Sequence, residues 1–374
     1  MKILYVTTVG ATMGFFTRLV EELIADGHTV DIATNDSVRK VPDCYARLGC
    51  RVFSLTCSRS PWNKGNLDSI GMIKRLVKEE RYDIVHCHTP IAAACARLAC
   101  RKLRKSLNVK VFYTAHGFHF YKGAPKLNWM VYYPIEKICS RFTDKLITIN
   151  KEDYELAKAK FKAKEIHYVP GVGIDLSRFK NIQVDRSAKR KEIGVPDDAF
   201  LLLSVGELNT NKNHQLVIRA LAELGAPDVH YAIAGVGAKR DFLLALAEEL
   251  GVSHQVHLLG YRNDIAELNH SADAFCFPSI REGLPVAPLE AMACGRPVVA
   301  AKNRGTVEFV VHGKNGFLCG NRDASGMASS IAKLMNEETL IKELSEQACS
   351  SVDRFRVESI IGIMKELYEQ GVMS

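Results

Sequence analysis

Residues 274–301 read AFCFPSIREGLPVAPLEAMACGRPVVAA, and their punctuation prescribes a strand, a loop, a helix and a second strand. Ala274–Phe277 is a short apolar run of strand type. Pro278, Gly283 and Pro285 make the following stretch a loop. A helix is expected from near Val286, with Pro288 tolerated in its first turn. Gly295 suits the helix stop, and Pro297 prevents continuation. Val298–Ala301 is the next strand-like run.

The same alternation runs outward in both directions. Toward the C-terminal side of residue 200, strands are expected at Phe200–Val205, His230–Ala234 and Val256–Leu259, each followed by helix-like sequence. Toward the N-terminus they are expected at Ile3–Thr7, Thr29–Ala33, Arg51–Ser54, Ile84–His88, Val109–Thr114 and Lys145–Ile149. Helices are expected at Phe15–Asp26, Leu67–Glu80 and Pro90–Leu103. Order of this βαβα kind implies parallel sheets covered by helices on both faces. The polar segment 179–198 interrupts it and reads as a linker plus a helix. The chain of 374 residues is therefore expected to hold two doubly wound α/β domains joined near residues 175–195. In such folds ligands bind outside the carboxyl ends of the strands.

Charge divides unevenly between the halves. Residues 1–180 hold 30 Lys and Arg against 17 Asp and Glu, whereas the whole chain holds 50 against 42. A basic N-terminal half suits an anionic partner surface: membrane phospholipid, a pyrophosphate-bearing substrate or nucleic acid. No nucleic-acid-binding module accompanies it, so nucleic acid is not expected as a partner. The eleven cysteines contain no C-x-x-C pair, as expected of buried thiols in a reducing cytosol. The N-terminus has no signal-peptide pattern, and no apolar run approaches the roughly 20 residues needed to cross a bilayer. A cytoplasmic protein is expected.

Chemistry concentrates in the loop 278–285 and the helix after it. The free N–H groups of a helix N-terminus favour an anion such as a diphosphate, and Gly283 lets a ligand approach the backbone. Glu282 in the loop and Glu290 one turn into the helix offer two carboxylates for hydroxyl recognition. After the strand 200–205 come Gly206, Glu207 and, further on, Lys212, a glycine and a cation that fit a phosphate site. Gly235 and Gly237 form a second glycine turn after a strand, and Tyr261 and Arg262 follow a third. In the first half, His86 and His88 alternate on one strand face, and His116 ends the next strand. Clustered histidines raise a metal site, but no thiolate or carboxylate spacing completes one, so no metal is expected. Gly10 and Gly14 lie in a glycine-rich turn that is not G-x-G-x-x-G, which argues against a dinucleotide site.

The run from Glu282-Gly283-Leu284-Pro285 to Glu290-Ala291-Met292-Ala293-Cys294-Gly295-Arg296-Pro297 closely resembles the donor-site signature of family 4 glycosyltransferases, and the resemblance spans nearly the whole chain. It implies the GT-B fold: two Rossmann-like doubly wound domains facing a cleft. It places the acceptor-side domain at 1–175, the nucleotide-sugar donor domain at 176–355, and a C-terminal helix at 356–374 returning to the N-terminal domain. It implies a retaining transfer from a nucleotide-diphosphate sugar, a UDP-sugar above all, to a hydroxyl of a glycan or undecaprenyl-diphosphate-linked acceptor. No metal or other cofactor is implied.

By the same resemblance His116, Glu282 and Lys212 are catalytic. Gly206, Glu207, Gly235, Gly237, Tyr261, Arg262, Gly283, Leu284, Pro285, Val286 and Glu290 bind the donor, Glu290 through the ribose. Gly10, Gly14 and His88 line the acceptor cleft. Glu207 stands where family members carry an arginine for the diphosphate, and Pro170 where they carry an asparagine before the hinge glycine. The opening residues, Glu207 and the segment 113–120 resemble capsular and exopolysaccharide transferases of bacteria. Aromatic and basic residues at 118–133, with Arg101–Lys105, suit contact with an anionic membrane at the inner face of the cell membrane. Two other functions fit these residues: a GT-B-fold nucleotide-sugar epimerase, and a non-catalytic protein that binds nucleotide sugar or membrane.

Overall fold

The computed structural model describes residues 1–180 and 182–373. Asn181, in the expected linker, and Ser374, in the expected C-terminal helix, lie outside the described residues. The chain divides into two units: Met1–Gly173 with the chain from Val357 onward, and Ile174–Arg356.

The first unit is a parallel sheet of seven described strands: β1 (Lys2–Val6), β2 (Thr29–Thr34), β3 (Val52–Ser54), β4 (Ile84–His88), β5 (Lys110–Ala115), β6 (Lys145–Thr148) and β7 (Glu165–Tyr168). Their spatial order is β3-β2-β1-β4-β5-β6-β7, so the winding direction reverses between β1 and β4. Strand β1 is apolar after Lys2, and β4 is buried along its whole length although it carries His86 and His88, because helices cover both faces. The final helix, Val357–Met373, belongs to this unit and buries Ile360, Ile361, Met364 and Leu367 beside Ile3, Phe112 and Ile147. Tyr368 stacks on Phe112 with ring centroids 5.7 Å apart, and its hydroxyl lies 2.6 Å from that of Tyr5.

The second unit is a parallel sheet of six described strands: β8 (Phe200–Val205), β9 (Val229–Ala234), β10 (Val256–Gly260), β11 (Ala274–Phe277), β12 (Val298–Ala301) and β13 (Gly316–Cys319). The order β10-β9-β8-β11-β12-β13 reverses between β8 and β11. The helix between β11 and β12 covers Val286–Ala293, and Gly295 takes the left-handed conformation just past its end (φ 74°), as the sequence prescribes.

Two strands escape the sequence pattern, one at an edge of each sheet. Strand β7 reads Glu-Ile-His-Tyr, and an edge strand with half-buried residues needs no apolar run. Strand β13 opens on Gly316, where an added Cβ would sit 2.3 Å from the Val298 carbonyl oxygen. The close pairing with β12 therefore selects a residue of poor strand propensity. The glycine-rich turn expected at Gly10–Gly14 is part of a 3-10 helix, Gly10–Phe15, and the helix expected from Phe15 covers Thr17–Ala25.

Candidate active site

In the second unit the loops after β8 and β11 leave adjacent strands at the point where the winding reverses, which is where α/β sheets open a ligand crevice. They are tied together there. Ile280 N–H donates to the Asn211 carbonyl at 2.8 Å, and the Asn211 amide donates to the Arg281 carbonyl at 3.0 Å. Asn213 donates to the carbonyls of Pro278 and Asn321. Asn303 donates to that of Ser279, and Arg304 Nε to that of Glu282 at 3.2 Å. Four side chains thus hold the carbonyls of the loop 278–282 and leave its side chains to other work.

Lys212 and Glu282 meet at this junction, Nζ to Oε1 at 2.8 Å, both about one-fifth exposed. The ammonium also lies over the Phe277 ring, 5.0 Å from its centroid. One of its three N–H bonds is used by Glu282, and the others are available to an anion. Gly206 makes room for the lysine stem: a Cβ there would lie 3.2 Å from Lys212 Cε.

The helix Val286–Ala293 begins after Pro285, and no side chain caps it. Pro288 has no N–H, so Val286 and Ala287 carry the free amides of the first turn. Glu290 is half-buried in this helix, and among the described residues its carboxyl has no hydrogen-bond or ion-pair partner. Burial pushes it up to about 7, against a smaller opposing pull from Arg178. A buried carboxyl without a partner is costly unless a ligand supplies one.

Several expected residues are placed otherwise. Glu207 is exposed and accepts from the Asn209 amide at 3.1 Å; among the described residues it pairs with no cation. The Arg262 guanidinium is committed to Asp264 and to Glu192, and it holds the Asp264 carboxyl well below the usual carboxylate range. Its side chain is thereby part of a structural ion-pair cluster with Lys189. Tyr261 next to it is 76% exposed. Gly235 and Gly237 act on the scaffold: a Cβ on Gly235 would lie 1.9 Å from the Gly206 oxygen, and one on Gly237 2.4 Å from the Leu208 oxygen. These contacts let the β8 and β9 loops run side by side, with Leu208 N–H donating to the Val236 carbonyl. Leu284 and Val286 pack on the core of the unit.

The first unit has its own reversal point, between β1 and β4. Thr8 and Thr89, which follow those strands, join hydroxyl to hydroxyl at 2.6 Å, and Thr89 carries a left-handed φ of 64°. A cavity of about 300 Å³ opens there, lined by Thr8, Thr12, Arg59, Thr89, His119 and Tyr132 among others. Gly10 and Gly14 are not among its lining residues: Gly10 is buried, and a Cβ on it would strike the Arg39 oxygen at 2.6 Å.

Three histidines form a chain of contacts beside this point. His86 joins Tyr368 through Nδ1 at 2.6 Å and Thr114 through Nε2 at 2.8 Å. His88 Nδ1 lies 3.1 Å from His116 Nε2. Burial pushes His86 down to about 3 and His116 to about 4, and lowers His88 strongly, so all three are neutral at pH 7. No cluster of three or more potential ligands able to hold a metal ion is found among the described residues.

The loop anchors Asn211, Asn213, Asn303 and Arg304 were not singled out from sequence. Asn211 and Asn213 flank Lys212, and an Asn-Lys-Asn tract after a strand was the available signal. Asn303 and Arg304 had none, because their partner loop is more than 20 residues away.

A model described as glycosyl transferases group 1 matches residues 185–350, and one described as glycosyltransferase family 4 matches residues 15–178. The chain is 40% identical over 323 residues to the putative glycosyltransferase EpsD of Bacillus subtilis, covering 84% of each chain. It is 27% identical over 312 residues to the UDP-Gal:alpha-D-GlcNAc-diphosphoundecaprenol alpha-1,3-galactosyltransferase of Escherichia coli, covering 81% of this chain and 79% of that one. Among solved structures, Anabaena HepE in complex with UDP superposes with a TM-score of 0.83 at 22% identity, covering 99% of this chain and 100% of that one.

Proposed function

The chain belongs to the family 4 glycosyltransferases of GT-B fold, and on that footing we propose that it moves a sugar, with retention of anomeric configuration, from a UDP-sugar to a lipid-linked saccharide in surface polysaccharide synthesis. The observation that carries the reading is the Lys212–Glu282 pair at the reversal point of the second sheet, with the partnerless Glu290 carboxyl one turn into the adjoining helix. Lys212 and the amides of Val286 and Ala287 meet the diphosphate. Glu282 meets the sugar hydroxyls, and Glu290 the ribose hydroxyls. The bond from the anomeric carbon to the diphosphate oxygen breaks as the acceptor oxygen bonds that carbon from the same face. The acceptor proton passes to the departing phosphate oxygen.

Charge on the leaving group is met by protein groups, so the reaction is expected to proceed without a metal, and turnover in excess EDTA tests this. The choice of UDP and of a diphosphate-linked lipid is supported by the activity of the Escherichia coli relative and by the ligand of Anabaena HepE. The capsular or exopolysaccharide role rests on the resemblance of the opening residues, Glu207 and the segment 113–120 to transferases of that kind. On the acceptor side the support is the cavity beside Thr8 and Thr89 with Arg59 on its wall. Among the described residues Arg59 has no ion pair.

Contact with an anionic membrane at the inner face of the cell membrane belongs to the same reading. Its support is the helix Lys126–Ser140, whose solvent side carries Leu127, Met130 and Ile138, all more than half exposed. Lys126 and Lys137 flank them, and the helix's single carboxylate, Glu136, is turned inward to Arg97. Such a face suits an interfacial helix. No helix among the described residues is long and apolar enough to cross a membrane.

Incubation with UDP-sugars and extracted lipid acceptor, followed by NMR of the product, tests the reaction. A retained α-linkage is expected. An inverted anomer would remove the mechanism, and epimerised donor without acceptor would favour an epimerase. Flotation with phosphatidylglycerol vesicles is expected to be lost in Met130→Glu; flotation that persists unchanged would remove the membrane contact.

A further inference from the structure

His88 closes β4, and its ring is enclosed. Tyr5 stacks on it at 5.4 Å with an interplanar angle of 14°, and Phe16 lies 4.3 Å away, centroid to centroid. The residue is 1% exposed. Its Nδ1 lies 3.1 Å from Nε2 of His116, and its Nε2 is buried and meets no donor or acceptor of the described residues. The space beside it is lined by Phe15, Leu19, Ile147 and Met364, and the polar groups there, His86 and Thr114, are bonded to each other.

The two imidazoles share one hydrogen bond, which one proton must fill. Neither ring touches a carboxylate among the described residues, and two adjacent cations would repel, so each ring carries a single N–H. Two arrangements are then possible. If His116 Nε2–H donates, the His88 proton must sit on Nε2, where it points at no acceptor. If His88 Nδ1–H donates, Nε2 of His88 is a bare nitrogen among aromatic and aliphatic carbon. A buried N–H without an acceptor is the rarer defect in native structures, and the second arrangement avoids it. In that arrangement His116 accepts at Nε2 and must hold its own proton on Nδ1.

We propose that His88 is a positioning residue: it donates Nδ1–H to His116 Nε2 and so obliges His116 to present an Nδ1–H donor. This rests on the placement of His116 at the reacting centre. His116 is half-buried while His88 is sealed, so the donor faces outward and its supporting bond faces the core. A neutral imidazole of this tautomer gives a hydrogen bond to a sugar or leaving-group oxygen and cannot serve as a base through Nε2. The function of the pair is to aim a donor, and the Tyr5 ring stacked on His88, with the Phe16 ring tilted against it, holds the aim.

Histidine-15N-labelled protein read by two-bond 1H–15N correlation tests the assignment directly, with resonances identified through His88 and His116 substitutions. Protonated Nδ1 and unprotonated Nε2 are expected on both rings at pH 7. Protonated Nε2 on His116 would overturn the proposal. Kinetics give the second test. His88→Phe keeps the ring and loses the donor, and kcat is expected to fall about tenfold with the donor KM within twofold. His88→Asn, which restores an N–H at that position, is expected to recover most of the loss, with near-ultraviolet circular dichroism confirming the fold of both variants. Equal loss in the two variants would overturn the proposal. Unchanged turnover in both His88→Phe and His116→Phe would remove His116 from the reacting centre, a failure of the underlying function that the spectrum distinguishes from a wrong proton assignment.

Discussion

The Lys212 ammonium lies 2.8 Å from Glu282 Oε1, and this contact joins the loops that leave the two strands flanking the reversal point of the second sheet. The pair presets both groups: the carboxylate steadies a long flexible cation, and the cation holds the carboxylate in place. On the proposed function an incoming diphosphate competes for the same ammonium, and the pair is expected to be remodelled when donor binds.

Lys212→Ala is expected to lower kcat/KM by roughly 100-fold or more, because the leaving diphosphate loses its principal cation. Glu282→Gln is expected to reduce turnover more than it weakens UDP binding, since UDP lacks the transferred sugar whose hydroxyls Glu282 is proposed to hold. Steady-state kinetics and UDP titration calorimetry read the two effects. Equal loss of UDP affinity in both variants would contradict the division of roles.

Glu290 gives a pH signature. Its folded-state value of about 7 lies above the ordinary 4.5, so its contribution to stability is fully present below pH 4.5 and is lost as pH rises through 7. Glu290→Gln is expected to be more stable than the parent at pH 8, by up to roughly 3 kcal/mol, and to match it near pH 5. Donor binding should run the other way if the ionised form accepts ribose hydroxyls. The parent's KM then falls between pH 6 and 8, while Glu290→Gln binds weakly and without that dependence. Thermal melts and KM measured across this range check both.

Two glycines should fail differently. Gly206→Ala presses on Lys212 Cε, the movable end of a side chain, at 3.2 Å. It is expected to raise the donor KM with little change in melting temperature. Gly235→Ala places a Cβ 1.9 Å from the Gly206 oxygen and must displace backbone, costing about 2 kcal/mol or more of stability. Melting curves alongside KM values separate the two.

Arg97 and Glu136 form a buried ion pair at 2.8 Å in the first unit, with Arg97 also over the Tyr113 ring at 4.1 Å. Removing one partner strands a charge. Arg97→Met alone is expected to cost about 3–5 kcal/mol, and Arg97→Met with Glu136→Leu to recover most of that. Denaturant unfolding of the two proteins decides it, and a double variant as unstable as the single one would refute the expectation.

Much of the fold was legible because buried parallel strands and amphipathic helices write themselves as apolar runs and 3.6-residue periods. The helix Val286–Ala293 was marked by its own prolines and by Gly295. Strands β7 and β13 were not, since an edge position and a tight backbone approach leave no apolar run. Glu282, Glu290, Lys212 and His116 were legible by residue type and motif. The commitment of Arg262 to Asp264 and Glu192, and the scaffold role of Gly235, were not, because partners remote in sequence decide them.

Read alone, the sequence determined the architecture and the chemical vocabulary of the donor site, because periodicity, turn residues and a helix start are local properties of the chain. The tertiary structure decided which residues meet. It paired Lys212 with Glu282 across 70 positions, left Glu290 half-buried without a partner among the described residues, and set His88 behind His116. Those relations depend on strand order, and strand order is fixed by packing among elements that no local pattern records.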